Sequence, residues 1–398
     1  MFKNFIIICA ITFALIEAVL RLQQLVGPIY DLELPDAKIT LDSLSNTLNH
    51  IPVSESTVIY QPKEIYGDLA GQTITRRRHP NSLRDNRLRT ETAGIPNVLF
   101  LGDSFMEGYD DQHTLPQLIW EQSREDNQPQ FNAWNVGHSS YSPAIFSVQV
   151  KQLIPALSPN LVVIDVDETD FADDLARYEP LATFSEDGCI QAISPSPARK
   201  RWVEGLYRAS RHTLYSLRFL HKFMITRIIV PRLSQAERAK NFPSDLPHIL
   251  GYADSATPRE SESRASEVFK RNLRCMLSHL TQHVASENII FIRHPHRYHL
   301  ESSPKGYKWR SPNRAHLKAV AEEYQVAVYD SEEYFQTLLP NVAPQDLYWN
   351  NDMHLNFKGM KHYSDYLSSV IKPYLSDLRA RAAMKPEVLS GSKSAPLH

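Results

Sequence analysis

Five short apolar runs set the pattern of this chain, each stopping abruptly at polar or turn-forming residues. Val98 to Leu101 ends at Gly102-Asp103-Ser104, and Leu161 to Val166 ends at Asp167-Glu168-Thr169-Asp170. Ile289 to Arg293 ends at a histidine cluster, and residues 326–329 form a further β-rich run. Between the later runs, apolar positions recur at helical intervals, which predicts helices near 266–285 and 313–325. Strands alternating with helices predict an α/β body, a mainly parallel sheet covered by helices on both faces in three α/β/α layers. The fifth run, Phe5 to Leu20, is longer and is interrupted by Thr12 and Glu17.

A parallel sheet directs attention to the residues just past its strand ends, because ligands bind there in open α/β folds. Ser104 sits at such an end, and Gly102 and Gly108 permit a tight turn around it. A serine hydroxyl needs a base and an orienting carboxylate to act as a nucleophile. Near the C-terminus, Asp352-Met353-His354-Leu355-Asn356-Phe357-Lys358-Gly359 precedes a periodic stretch, 362–374, that predicts a closing helix. Of the 16 histidines, His354 has the most informative surroundings.

Read together, these blocks resemble the SGNH (GDSL-type) hydrolase family of esterases, acetylhydrolases and acyltransferases, across most of residues 75 to 374. The resemblance assigns Ser104 as nucleophile, with its main-chain N–H in the oxyanion hole, and Gly137 of Asn135-Val136-Gly137-His138 as a second N–H donor. His354 is the implied base and Asp352 the third triad member, because Asn351 fills the position where many relatives carry the carboxylate. The third block departs from the family. Thr169, the third oxyanion candidate with a hydroxyl donor of shorter reach, stands where the family has an asparagine, and Asp167 stands where the family has glycine. Loss of one such donor costs about a hundredfold or more in rate. The resemblance therefore implies an esterase acting on O-acyl, foremost O-acetyl, esters, with a cell-envelope glycan as a plausible class. An acyltransferase of the same fold and a non-catalytic protein that binds acylated glycan or a partner stay open beside it.

Composition narrows the remaining choices. A net charge of −2 argues against nucleic acid, and 398 residues with 42% hydrophobic content suffice for a core with additional parts. No repeat, P-loop, dinucleotide fingerprint or zinc-type cysteine spacing is present. His294, His296 and His299 invite a metal reading, but a loop with that spacing and no carboxylate of its own is a weak ligand set. The expectation is no metal and no cofactor, with the histidines facing substrate or a lid edge. Cys189 and Cys275 are either two buried thiols or a disulfide, the latter outside the cytosol.

The organisation expected along the chain follows. Residues 1–24 read as a signal anchor, a transmembrane helix with Lys3 inside and the acidic Asp31, Glu33 and Asp36 outside, which places the body in the periplasm or cell exterior. A cleaved signal peptide or a buried amphipathic helix are the alternatives. Residues 25–94 read as an irregular connector packing on the body, with Arg76-Arg77-Arg78 solvated. Residues 95–375 form the hydrolase-like domain with a helical insertion at about 175–264, and residues 376–398 a disordered tail. Within the insertion, 199–232 carries nine Lys or Arg among apolar residues at helical intervals, suited either to an anionic membrane surface or to a lid.

Overall fold

The structure, a computed structural model, describes residues 11–22, 42–52, 57–60, 74–78, 84–85, 92–126, 128–195, 259–294, 296–300, 312–349 and 354–383. Its centre is a five-stranded sheet of β1 (Asn97–Leu101), β2 (Asn132–Asn135), β3 (Leu161–Val166), β4 (Ile289–Arg293) and β5 (Ala327–Asp330). The strand order is β5-β4-β3-β1-β2 and every pairing is parallel. The order reverses at β1, so the crevice beyond the carboxyl ends of β1 and β3 is the switch point where such sheets bind ligands.

Helices among the described residues that cover the sheet or carry its strand-end groups include α1 (Ser104–Glu107), α2 (Leu115–Ser123), α3 (Pro143–Leu157), α4 (Arg259–Leu280), α5 (Pro312–Glu323), α6 (Ser331–Leu338) and α7 (Phe357–Ala383). Alternation along β1 divides the core into two. Leu99 and Leu101 join Val162 and Ile164 beneath α3, α4 and α5, whereas Val98 and Phe100 join Leu161 and Val163 beneath α2, α6 and α7. With both faces covered, the strands read as near-continuous apolar runs, which is why most of them are visible in the sequence. β2, Asn-Ala-Trp-Asn, lacks such a run and escapes that reading.

Three expectations are corrected at the ends of the body. The connector is not wholly irregular: Asp42–Ser45 pairs with Asn49–Pro52, and Thr57–Tyr60, Ile74–Arg78 and Arg84–Asp85 form a three-stranded antiparallel sheet. It does pack on the body, with His50 Nε2 3.0 Å from the Ser139 carbonyl oxygen and Tyr141 donating to the His50 carbonyl at 2.9 Å. Arg76 is not merely solvated, since it donates to the Tyr109 carbonyl, and the Arg77 main chain donates to Asp111 at 2.9 Å. At the other end α7 continues to Ala383, because residues expected in a polar tail extend its amphipathic face. The basic stretch 199–232 lies outside the described residues.

Cys189 and Cys275 form a disulfide with a Cα separation of 5.6 Å across 86 positions, from within the expected insertion to α4. Among the described residues no helix is long and apolar enough to cross a membrane. Residues 1–10 of the expected anchor lie outside them, and 11–22 is helical with Ile11, Phe13, Leu15, Ile16, Val19 and Leu22 exposed.

Behind the sheet ends, α3 and α4 are joined through a buried acid. Asp174 accepts from Ser142 Oγ, from the Ala144 N–H at 2.9 Å and from Asn272 Nδ2 at 2.9 Å. Burial pushes its carboxyl up to about 7 despite those donors, and burial does the same to Asp173 beside it. A carboxyl with a raised folded-state pKa binds more protons folded than unfolded, so its stability contribution is full below about pH 4 and is lost as pH rises through 7. The urea midpoint should therefore fall between pH 5 and 8, and Asp174→Asn should flatten that slope, as read by circular dichroism.

Candidate active site

Ser104 begins α1 directly after β1. Asp103 caps that helix, accepting the Phe105 N–H at 2.8 Å, which turns the serine side chain out from the strand end. Ser104 Oγ lies 2.7 Å from His354 Nε2, although the two are 250 positions apart. His354 is held by the start of α7. Asn356 caps α7 by accepting the Gly359 N–H at 2.9 Å, and its amide donates to the Asp346 carbonyl at 2.9 Å. A Cβ on Gly359 would meet the Leu347 carbonyl oxygen at 2.1 Å. The His-x-Asn-x-x-Gly spacing is thus a cap plus a close backbone approach that together aim the imidazole. Asp352, the expected third triad member, and Asn351 lie outside the described residues.

The two remaining oxyanion candidates are engaged elsewhere. Gly137 follows β2 and its N–H donates to Asn135 Oδ1 at 2.9 Å, while Asn135 Nδ2 donates to the Met106 carbonyl at 2.9 Å. Thr169, standing in for the family's asparagine, gives its hydroxyl and its N–H to Asp167 Oδ1, each at 2.7 Å. The sequence suggested both as donors because it shows position along the chain but not the direction of a donor. Ser104, Gly137 and Thr169 nevertheless converge on neighbouring strand ends. Glu107, buried on α1, accepts from the Ser139 N–H at 3.0 Å and ties the loop after β2 to the helix that Ser104 begins.

Gly137 has a packing reason to be glycine. An added Cβ would lie 2.5 Å from Met106 Cβ and 2.9 Å from the Glu107 nitrogen. Gly137→Ala should push α1 aside and destabilise the fold by about 1–3 kcal/mol. Any esterase activity should fall at least as far as the stability, which turnover and thermal melts measured on one preparation would show.

Ser104 and His354 open into a small recess lined also by Phe105, Gly108, Tyr109, Leu115, Leu355 and Met360, with about 220 Å³ of empty space including its solvent mouth. Below it lies a buried charged cluster that the spacing of residues alone did not show. Asp165 Oδ1 lies 3.0 Å from His294 Nδ1, and Asp167 Oδ2 lies 2.8 Å from His296 Nε2. Burial opposes charge on His294, yet Asp165, Asp103 and Asp167 raise it to about 9. Burial likewise opposes charge on Asp167, but the hydrogen bond and charge of His296 hold it below the ordinary carboxylate range. Burial, with Asp167 close by, pushes Asp103 up to about 7. The histidines expected to face substrate are therefore internal: His294 and His296 are buried, and Phe105 stacks on His294 at a centroid distance of 3.6 Å.

The arrangement defines a class: a parallel α/β sheet carrying a serine–histidine pair at its switch point. No family model and no curated protein matches the sequence. Among solved structures, the chain is similar to Axe2, an acetylxylan esterase from Geobacillus stearothermophilus, at 12% identity over 69% of this chain and 94% of that one, with a TM-score of 0.40. It is also similar to a lipase/acylhydrolase from Enterococcus faecalis, at 13% identity over 70% and 97% with a TM-score of 0.36. A third is LAE5, an alpha/beta hydrolase enzyme from the metagenome of Lake Arreo, at 11% identity over 70% and 95% with a TM-score of 0.38.

Proposed function

We propose that the chain is a serine ester hydrolase of SGNH type, and the observation that carries this is the 2.7 Å contact between Ser104 Oγ and His354 Nε2 at the mouth of a recess. His354 takes the hydroxyl proton as Ser104 attacks the ester carbonyl, then returns it to the leaving alcohol, and water releases the acyl group by the same steps in reverse order. Asp352 steadies the imidazolium, and the main-chain N–H of Ser104 faces the developing oxyanion. The small apolar recess suits a short acyl group, foremost acetyl, while the alcohol side remains open to solvent and to a glycan.

The exposed apolar face of residues 11–22 supports an N-terminal membrane anchor, and the disulfide supports a body outside the cytosol, in the periplasm or cell exterior. An O-acyl ester of a cell-envelope glycan fits that placement as substrate.

A second reading has its own observation: the Gly137 N–H and the Thr169 hydroxyl are both bound within the protein, which weakens oxyanion stabilisation and favours a protein that binds acylated glycan. Turnover of p-nitrophenyl acetate by the full chain, with labelling by a serine-reactive fluorophosphonate, decides between them. Turnover and labelling that both require Ser104 support the hydrolase. Faster acyl transfer to an added sugar than to water would make the enzyme a transferase, and a folded protein silent in both assays would leave the binding protein.

A further inference from the structure

The acid–histidine cluster beneath the nucleophile turn takes no part in the acyl chemistry, yet its donor atoms converge. Asp167 follows β3, and His294 and His296 follow β4, the strand paired with it. Asp167 Oδ2 lies 2.8 Å from His296 Nε2 and 3.7 Å from His294 Nε2, and one donor atom from each residue lies within 4.8 Å of the others. The His294 side chain is wholly buried, and its Nε2 has no hydrogen-bond partner. Its other ring nitrogen meets Asp165 Oδ1 at 3.0 Å, and Tyr363 holds that oxygen with a hydrogen bond of 3.0 Å. With Nδ1 held by Asp165, Nε2 is the ring nitrogen directed into the cluster, toward Asp167.

We propose that Asp167, His294 and His296 bind one divalent first-row metal ion, with zinc the best match. Two imidazole nitrogens and a carboxylate oxygen are donors that zinc accepts at about 2.0–2.2 Å. Ligand atoms around a tetrahedral ion at such lengths stand roughly 3.3 Å apart. The two separations from Asp167 fall on either side of that value, so a small side-chain adjustment closes the site. Asp165 supplies the outer carboxylate that commonly fixes the tautomer and orientation of a metal-ligating histidine.

The surroundings call for positive charge. Asp165 and Asp167 are both buried against the two imidazoles, and a divalent ion between them would set positive charge beside two carboxyl groups. The ion would tie the ends of β3 and β4 together and hold His294 under Phe105, the residue after the nucleophile. Its role is to position that turn, since no ligand lines the recess.

The test uses the full chain in detergent, stripped of metal and titrated with Co²⁺, whose visible absorption reports its ligands. One saturating equivalent, with X-ray absorption showing two imidazoles and a rise in thermal midpoint, is the expected result. His296→Ala should weaken binding at least a hundredfold with circular dichroism unchanged, and Asp165→Asn should weaken it about 10–100-fold. Ser104→Ala should bind Co²⁺ as the unmodified chain does, which separates this site from the esterase reading. No saturable absorption, a bound ion without two imidazoles, or equal affinity in a folded His296→Ala would each overturn the proposal. Should His296→Ala not fold, the X-ray absorption of the unmodified chain decides alone.

Discussion

Ser104→Ala is expected to lower p-nitrophenyl acetate turnover by about 10⁴-fold or more and to abolish fluorophosphonate labelling, with the fold intact. The hydroxyl is partly exposed at the start of a short helix, and the hydrogen bonds shaping its turn come from main-chain groups and Asp103, so removing one oxygen leaves the scaffold unchanged. His354→Ala should cost about as much, because nucleophile and base act as a unit and the loss of either stops proton transfer. The double variant should then be little worse than either single one. Additive losses would mean that the 2.7 Å contact is not the reacting pair. A rate that depends on Ser104 but not on His354 would point to another base.

The second large effect concerns the disulfide. Cys189 and Cys275 join the hairpin of Ala182–Phe184 and Ile190–Ile193 to α4 across 86 positions. Replacing both by serine should lower unfolding free energy by roughly 2–5 kcal/mol, mainly by freeing the unfolded chain, as measured by urea denaturation. Reduction by dithiothreitol should reproduce the loss in the unmodified chain and do nothing to the double variant. The hairpin also contacts α3, through Lys151 Nζ donating to the Ile190 carbonyl at 3.1 Å, and α4, through the Arg271 guanidinium 4.7 Å from the Phe184 ring centroid. Those contacts keep the local fold near its place after reduction, so activity should fall less than stability. Equal denaturation midpoints with and without reductant would show that the bond contributes nothing.

Several parts of this molecule were legible from the chain alone, and the reasons are local. β1, β3 and β4 are buried on both faces, so each is an apolar run with a sharp polar end, and the run after Leu161 matches its strand residue for residue. The Ser104 turn and the His354 block are compact, because their glycines, caps and reactive groups lie within a few positions of one another. Pairing Ser104 with His354, 250 positions away, followed from a resemblance in block order, and the structure brings the two side chains together.

What only the tertiary structure decided depends on direction and on partners from distant strands. The Gly137 N–H points to Asn135 and the Thr169 hydroxyl to Asp167, and spacing along a chain carries no record of where a donor aims. The histidines after β4 looked like a loop without acids, since their carboxylates, Asp165 and Asp167, arrive from β3, nearly 130 positions earlier. Parallel pairing of β3 with β4 in register is what places those groups side by side. The chain by itself therefore determined β1, β3 and β4, the Ser104 turn and the His354 block, whose causes are local patterning. The sheet decided which buried charges face one another, because that depends on strand order and register.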